Sequence, residues 1–328
     1  MKSKERVIRA IEFNSPDRMP ICSFHLPTKK FSDFLINSIK YKTDIMMTSF
    51  IYKRKKIDKE TAIDSWGCTW KSLGNMGEVV DGPLKDWNNL INLKAPDYAN
   101  FHSLLFIRLS RLIFRKKFLI GALPDMVFSL CQFLRGYTEF MIDLYENKDE
   151  MIKLVSIITE LNLKLIDIYA DLRMDAVMGW DDFGLQNSLM ISPEMFREIF
   201  KPAYKAIIER THQHGMKFIL HSCGYIIDII EDFIEIGLDV LQCDQQDNMG
   251  IDNLNERYGG RITFFCPVDI QTTLPSDDID KIRMKALELR RTLGGHKGGL
   301  IGKVYPTPKD IGVSEKNIGV MLKAFREK

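Results

Sequence analysis

Two residues set two apart, His221 and Cys223, carry the sharpest chemical signal in this chain, in the run His221-Ser222-Cys223-Gly224. Side chains alternate along an extended segment, so a histidine and a cysteine at that spacing point the same way. An imidazole beside a thiolate suits a borderline ion such as zinc. A catalytic zinc centre takes three protein ligands and keeps a fourth position open. Cys243 and Cys266 each close a later apolar run, so either is placed to be the third ligand. Cys266 is preferred because Pro267 and Asp269 follow it in a polar setting, whereas Cys243 is free to point into the layer outside the strands. The plain reading of the same letters is a buried histidine and buried thiols, since free cysteine is among the most buried residue types.

Other reactive side chains gather at similar places. Asp181-Asp182 ends the apolar run that starts at Asp175. Two adjacent carboxylates cannot both turn cheaply toward an apolar layer, so one of them faces a pocket. Asp182 is the candidate to orient the histidine or to handle a proton, with Tyr305 as a second acid–base group. Asp181, Gln186, Asp244, Asp269 and Lys303 are candidate substrate contacts. His25 stands alone after the first apolar run. His212 and His214 flank a helix end, where they complement its C-terminal dipole. Trp66 and Trp70 belong to a hairpin excursion over Asp64–Asp81, as core packing or as a lid.

These residues need elements to hold them at one end of a sheet. From Asp175 onward, apolar runs alternate with amphipathic stretches. The strands expected there are Asp175–Asp182, Lys217–His221, Asp239–Asp244, Arg261–Val268 and Gly298–Tyr305, each followed by a helix. Ser192-Pro193-Glu194 opens one of those helices with an N-cap, a proline and a first-turn acid, and Gly215 ends it. Five strand–helix units in succession require parallel strands joined by right-handed crossovers. Earlier, Met19–Phe24 and Phe118–Leu123 read as strands, Met1–Phe13 as a leading helix, and Met126–Asp171 as one or two long helices broken near Asn147. Strands near residues 20, 65, 120, 178, 219, 241, 264 and 301 make eight, so the expected fold is an α/β (β/α)8 TIM barrel forming a single domain over 1–328. A doubly wound open sheet is the alternative. In a parallel barrel, chemistry sits at the carboxyl ends of the strands, where the residues above fall.

The bulk numbers exclude other classes. At 328 residues, with 27% charged and 45% hydrophobic residues, the chain can bury a large core without disulfides. A net charge of +2 argues against a nucleic-acid partner. The basic runs Lys53–Lys56 and Arg115–Lys117 read as solvated surface. No run approaches the about 18 apolar residues of a membrane span. Six scattered cysteines without a CxxC pair, and no secretory leader, suit free thiols in the cytoplasm.

Together these motifs resemble the uroporphyrinogen decarboxylase superfamily, which includes corrinoid-dependent methyltransferases such as methylcobamide:coenzyme M methyltransferases. The resemblance is carried by ERVIRAIEFNSPDRMP at the start, DSWGCTW, DDFGLQ followed by ISPEMFREIFKPAYK, HSCGYI, and FFCPVDIQTTL. The porphyrinogen decarboxylases of the superfamily carry an arginine-rich segment after the first strand. That place here reads Cys22–Thr28 without arginine, which turns the resemblance toward the methyltransferases. For that branch it implies zinc held by the His-x-Cys pair, a third cysteine on the last strand, and a corrinoid carried by a partner protein. His221 and Cys223 match; the last strand has no cysteine, and Cys266 or Tyr305 would take its place. The implied function is zinc-dependent methyl transfer between a corrinoid protein and a thiol or pterin acceptor. The alternative is a metal-independent decarboxylase or lyase acting on a non-porphyrin acid through Asp182 and Tyr305.

Overall fold

The computed structural model describes residues 1–23, 39–52, 54–73, 76–305 and 308–327. His25 lies outside these residues. Eight parallel strands form one nearly closed sheet: Ile21–Ser23, Ile45–Ser49, Phe118–Ala122, Ala176–Trp180, Lys217–His221, Val240–Gln242, Thr263–Cys266 and Leu300–Val304. The second to eighth strands each pair with their sequence neighbours, and the first pairs with the eighth, so the one gap in the ladder lies between the first and second strands. Helices cover the outside, so the fold is the expected (β/α)8 barrel. No helix among the described residues is long and apolar enough to cross a membrane.

Alternation sorts the strand side chains into two cores. Cys22, Ile45, Met47, Ile120, Met178, Ile219, Val240, Phe265 and Ile301 fill the barrel interior, and Val7 and Ile11 of the leading helix Ser3–Ile11 join them. The opposite parity, including Met46, Leu119, Val177, Phe218, Leu241 and Phe264, packs against the helices. The helix starts follow local chemistry. Ser192 accepts the Met195 N–H at 3.2 Å with Pro193 in the first turn, and Asp278 accepts the Lys281 N–H at 2.9 Å before Ile279–Thr292.

Two expectations need correction. The second barrel strand is Ile45–Ser49 and does not lie near residue 65. Its sequence, Ile-Met-Met-Thr-Ser, is buried on both faces and ends in polar residues, so no alternation marks it. The segment around 65 belongs to a separate antiparallel sheet of four strands, Lys55–Lys56, Thr61–Ile63, Thr69–Leu73 and Met76–Asp81. There Trp66 is buried with its Nε1 donating to Asp125 at 2.8 Å, and Trp70 donates to Asp64 at 2.6 Å. Met126–Asp171 holds three helices, Val127–Arg135, Tyr137–Glu146 and Lys148–Asp171. The additional break falls at Gly136, whose φ of 84° few other residues adopt.

The first and second strands are joined by one residue. The Asp44 N–H donates to the Ile21 carbonyl at 2.7 Å, and the Asp44 carboxylate accepts the Ile21 N–H at 3.0 Å. Arg6 Nη1 donates to the same carboxylate at 2.6 Å, and Arg18 donates to both of its oxygens at 2.8 and 3.0 Å. Arg6 in turn grips Asp17 at 2.5 and 2.8 Å. Asp44 and Arg6 are both buried. Replacing Asp44 by alanine strands a buried arginine and removes the seam. The expected loss is about 3–5 kcal/mol in urea unfolding, with a Ser3→Ala variant, which removes a part-buried bond to the same carboxylate, losing far less.

Candidate metal centre at the strand ends

The fourth and fifth strands end side by side, and the backbone between them is unusually close. Gly184 and Gly224 lie back to back: a Cβ on Gly224 would meet the Gly184 carbonyl oxygen at 2.3 Å, and one on Gly184 would meet the Tyr225 nitrogen at 2.5 Å. Gly224 also holds φ at +77°. Hydrogen bonds fasten the two loops along their length. Asp181 N–H donates to the His221 carbonyl at 2.9 Å, Phe183 N–H to Ser222 Oγ at 3.2 Å, and Tyr225 N–H to the Leu185 carbonyl at 2.8 Å. Such an approach needs glycine on both sides.

That fastening brings three donors together. Asp182, His221 and Cys223 each offer a ligand atom, all within 4.8 Å of one another. Cys223 Sγ lies 3.2 Å from His221 Nε2, and Asp182 Oδ1 lies 3.4 Å from the same nitrogen. The Asp182 carboxylate also accepts the Cys223 N–H at 2.9 Å, which sets its position. The other ring nitrogen, His221 Nδ1, lies 2.5 Å from Gln242 Oε1. Gln242 Nε2 donates to Asp244 at 2.9 Å, and Lys303 Nζ sits 3.3 Å from Gln242 Oε1. Both contacts orient the amide with its oxygen toward the imidazole. Nδ1 is therefore the protonated nitrogen and Nε2 presents its lone pair to the cluster.

The electrostatics run the same way. Burial pushes the His221 pKa down, and Lys303 adds to that, while Asp182, Asp244 and the Gln242 bond oppose it; the net effect is downward. The neutral imidazole is the ligand form. Burial pushes the Cys223 thiol up, and the charges of Asp182 and Asp244 push it further. A divalent cation bound among these groups would offset the charge repulsion and favour the thiolate. One nitrogen, one sulfur and one carboxylate oxygen make a donor set that zinc accepts, with a fourth position left over. The residues fit such an ion.

The other expected site residues fall elsewhere. Cys266 is not brought to His221 and Cys223. It has the outward parity, and its sulfur lies 3.8 Å from Cys243 in the layer between strands and helices, where burial pushes its thiol far up. Asp181, the partner of Asp182, is completely buried. Its carboxylate accepts the Phe128 and Ser129 N–H groups at 2.9 and 2.6 Å and the Tyr204 hydroxyl, so it caps helix Val127–Arg135. Asp269 is similarly committed to its own turn, accepting from the backbone of Gln271, Thr272 and Thr273 and from the Thr272 hydroxyl. Asp244 and Lys303 form a buried ion pair at 2.7 Å inside the barrel mouth. Burial pushes Asp244 up, but Lys303 and then His221 outweigh it, leaving its pKa below the usual range. Tyr305 is half-buried, its ring 5.3 Å from the Lys303 ammonium. Gln186 is exposed at the rim near Gln271. Gln242 is the residue that sequence reading passed over, although an amide two positions before Asp244 in an apolar run was its signal.

The model of the uroporphyrinogen decarboxylase (URO-D) family matches residues 64–298, well over half of the chain. The chain belongs to that family. The match spans the hairpin excursion, both glycine-fastened loops and the seventh strand; the leading helix and the last strand lie outside it. No curated protein sequence matches the chain. Among solved structures, a methyltransferase from Methanosarcina mazei superposes with a TM-score of 0.72 at 16% identity, over 99% of this chain and 98% of that one. A B12-independent methionine synthase from Shewanella sp. W3-18-1 superposes with a TM-score of 0.50 at 11% identity, over 89% and 83%. At these identities the likeness establishes the barrel.

If Gln242 fixes the imidazole for a metal, Gln242→Leu should weaken zinc affinity about 10–100-fold while the fold persists. Competition against a chromophoric chelator measures it, and unchanged affinity refutes the assigned tautomer.

Proposed function

We propose that this URO-D family protein is a zinc-dependent methyltransferase that moves a methyl group between a corrinoid carried by a partner protein and a thiol or pterin acceptor. His221, Cys223 and Asp182 would hold the zinc, with Asp182 in the place first expected of Cys266. The observation that carries the reading is the convergence of these three donors at the barrel mouth, with Gln242 setting the histidine tautomer. Zinc bound there would supply the positive charge that keeps an acceptor sulfur as thiolate near neutral pH.

This chain's own residues do the rest. Gln242 holds the imidazole. The buried Lys303–Asp244 pair stiffens the floor beneath it, and the Tyr305 ring lies beside Lys303. The names of the two solved structures agree with methyl transfer, and their contribution is to the fold.

Elemental analysis of protein purified without chelators tests the assignment. Wild type should carry close to one zinc per chain, and Cys223→Ser and His221→Ala should each lose it. Cys266→Ser should keep it, because that sulfur is buried against Cys243. Zinc retained in Cys223→Ser but lost in Cys266→Ser would overturn the ligand set. No zinc in any of them would favour the metal-free lyase, with Asp182 and Tyr305 as its acid–base pair.

A further inference from the structure

Helix Phe101–Ile113 is built the wrong way round for a helix on a water-exposed barrel. Its inner side carries Ser103, Ile107 and Ser110, while Phe101, Leu105, Leu109, Leu112 and Ile113 form a stripe on the outside. Phe101 is 72% exposed, Leu112 64% and Leu109 49%. An amphipathic helix normally turns its apolar stripe to the core, so this stripe is made to meet something else. The inner side is fixed to the end of the second strand, where Ser103 Oγ accepts the Ile51 N–H at 2.9 Å and donates to the Ile51 carbonyl at 3.2 Å.

Charge decides what that something is. Between Asp97 and Asp125 the chain has no acidic residue, while Arg108, Arg111, Arg115, Lys116 and Lys117 lie within it. Arg108, Arg115 and Lys116 are exposed along the helix and its end. A second copy of the chain would bring a surface of this sign against itself. Apolar side chains with basic ones beside them are instead the composition that settles into the headgroup layer of an anionic bilayer, the rings and leucines entering the acyl boundary and the cations pairing with phosphates.

We propose that the outward face of helix Phe101–Ile113 docks the protein on an anionic membrane surface. The contact is peripheral and independent of the metal assignment. The helix packs over the second strand on the barrel flank, so docking leaves the strand ends, with Asp182, His221 and Cys223, open.

Flotation with phosphatidylcholine vesicles, with and without phosphatidylserine, tests it on the full chain. Wild type should float with the serine lipid and stay behind with phosphatidylcholine alone, and added salt should release part of it. Leu109→Gln with Leu112→Gln should weaken partitioning roughly tenfold or more with an unchanged circular dichroism spectrum. Arg108→Gln with Arg115→Gln should weaken it and flatten the salt dependence. Failure to float with either lipid overturns the proposal. So does a dimer in light scattering that the leucine variant dissolves, which would assign the face to a second copy. Binding to anionic vesicles that the leucine variant leaves untouched overturns it as well.

Discussion

A ring of eight strands has to close, and here closure rests on the Asp44 carboxylate. The first strand is three residues long, and its ladder runs only to the eighth. On the other side, toward the second strand, Asp44 exchanges bonds with both backbone groups of Ile21. Burying that charge would be costly alone. Two arginines and Asp17 turn it into a set of two acids and two bases, which satisfies every partner it faces. The seam lies at the amino ends of the first two strands, and the barrel carries its effect to the mouth through the eighth. Lys303, which braces Gln242 and Asp244, stands on the eighth strand, and the eighth strand pairs with the first.

The second organising constraint is alternation, and it divides chemically identical neighbours between different tasks. Asp181 and Asp182 are adjacent, yet one caps a helix in the outer layer and the other meets His221 at the mouth. Likewise Phe265 fills the interior while Cys266, next to it, packs outward against Cys243. A strand end supplies one inward side chain for every two residues, so adjacency in sequence says little about adjacency at the site.

The same fact explains how much could be read from the letters. The barrel was legible because the strand–helix alternation after Asp175 leaves few other topologies, and His221 with Cys223 was legible because a spacing of two is unambiguous on a strand. The third donor beside them, Asp182, was not. Choosing Cys266 rested on its polar neighbours, whereas Phe265 and Cys266 differ only in parity, which the sequence does not number. The second strand was lost because Ile45–Ser49 is buried on both faces and carries no period. The opening motif also had a meaning that its letters conceal. Arg6, Asp17 and Arg18 belong to the seam, but their partner Asp44 lies dozens of residues away in a stretch without any signal.

The contact between Gly184 and Gly224 makes the candidate site a single mechanical unit. Asp182 and Cys223 are 41 residues apart in sequence, and the entropy of bringing them together is met by folding the two loops against each other, before any ligand arrives. Opening one loop would necessarily release the other, since Tyr225 and Phe183 are bonded across the same contact. An opening of this contact would move Asp182 and Cys223 together, so an ion bound there would lose both donors in one cooperative event.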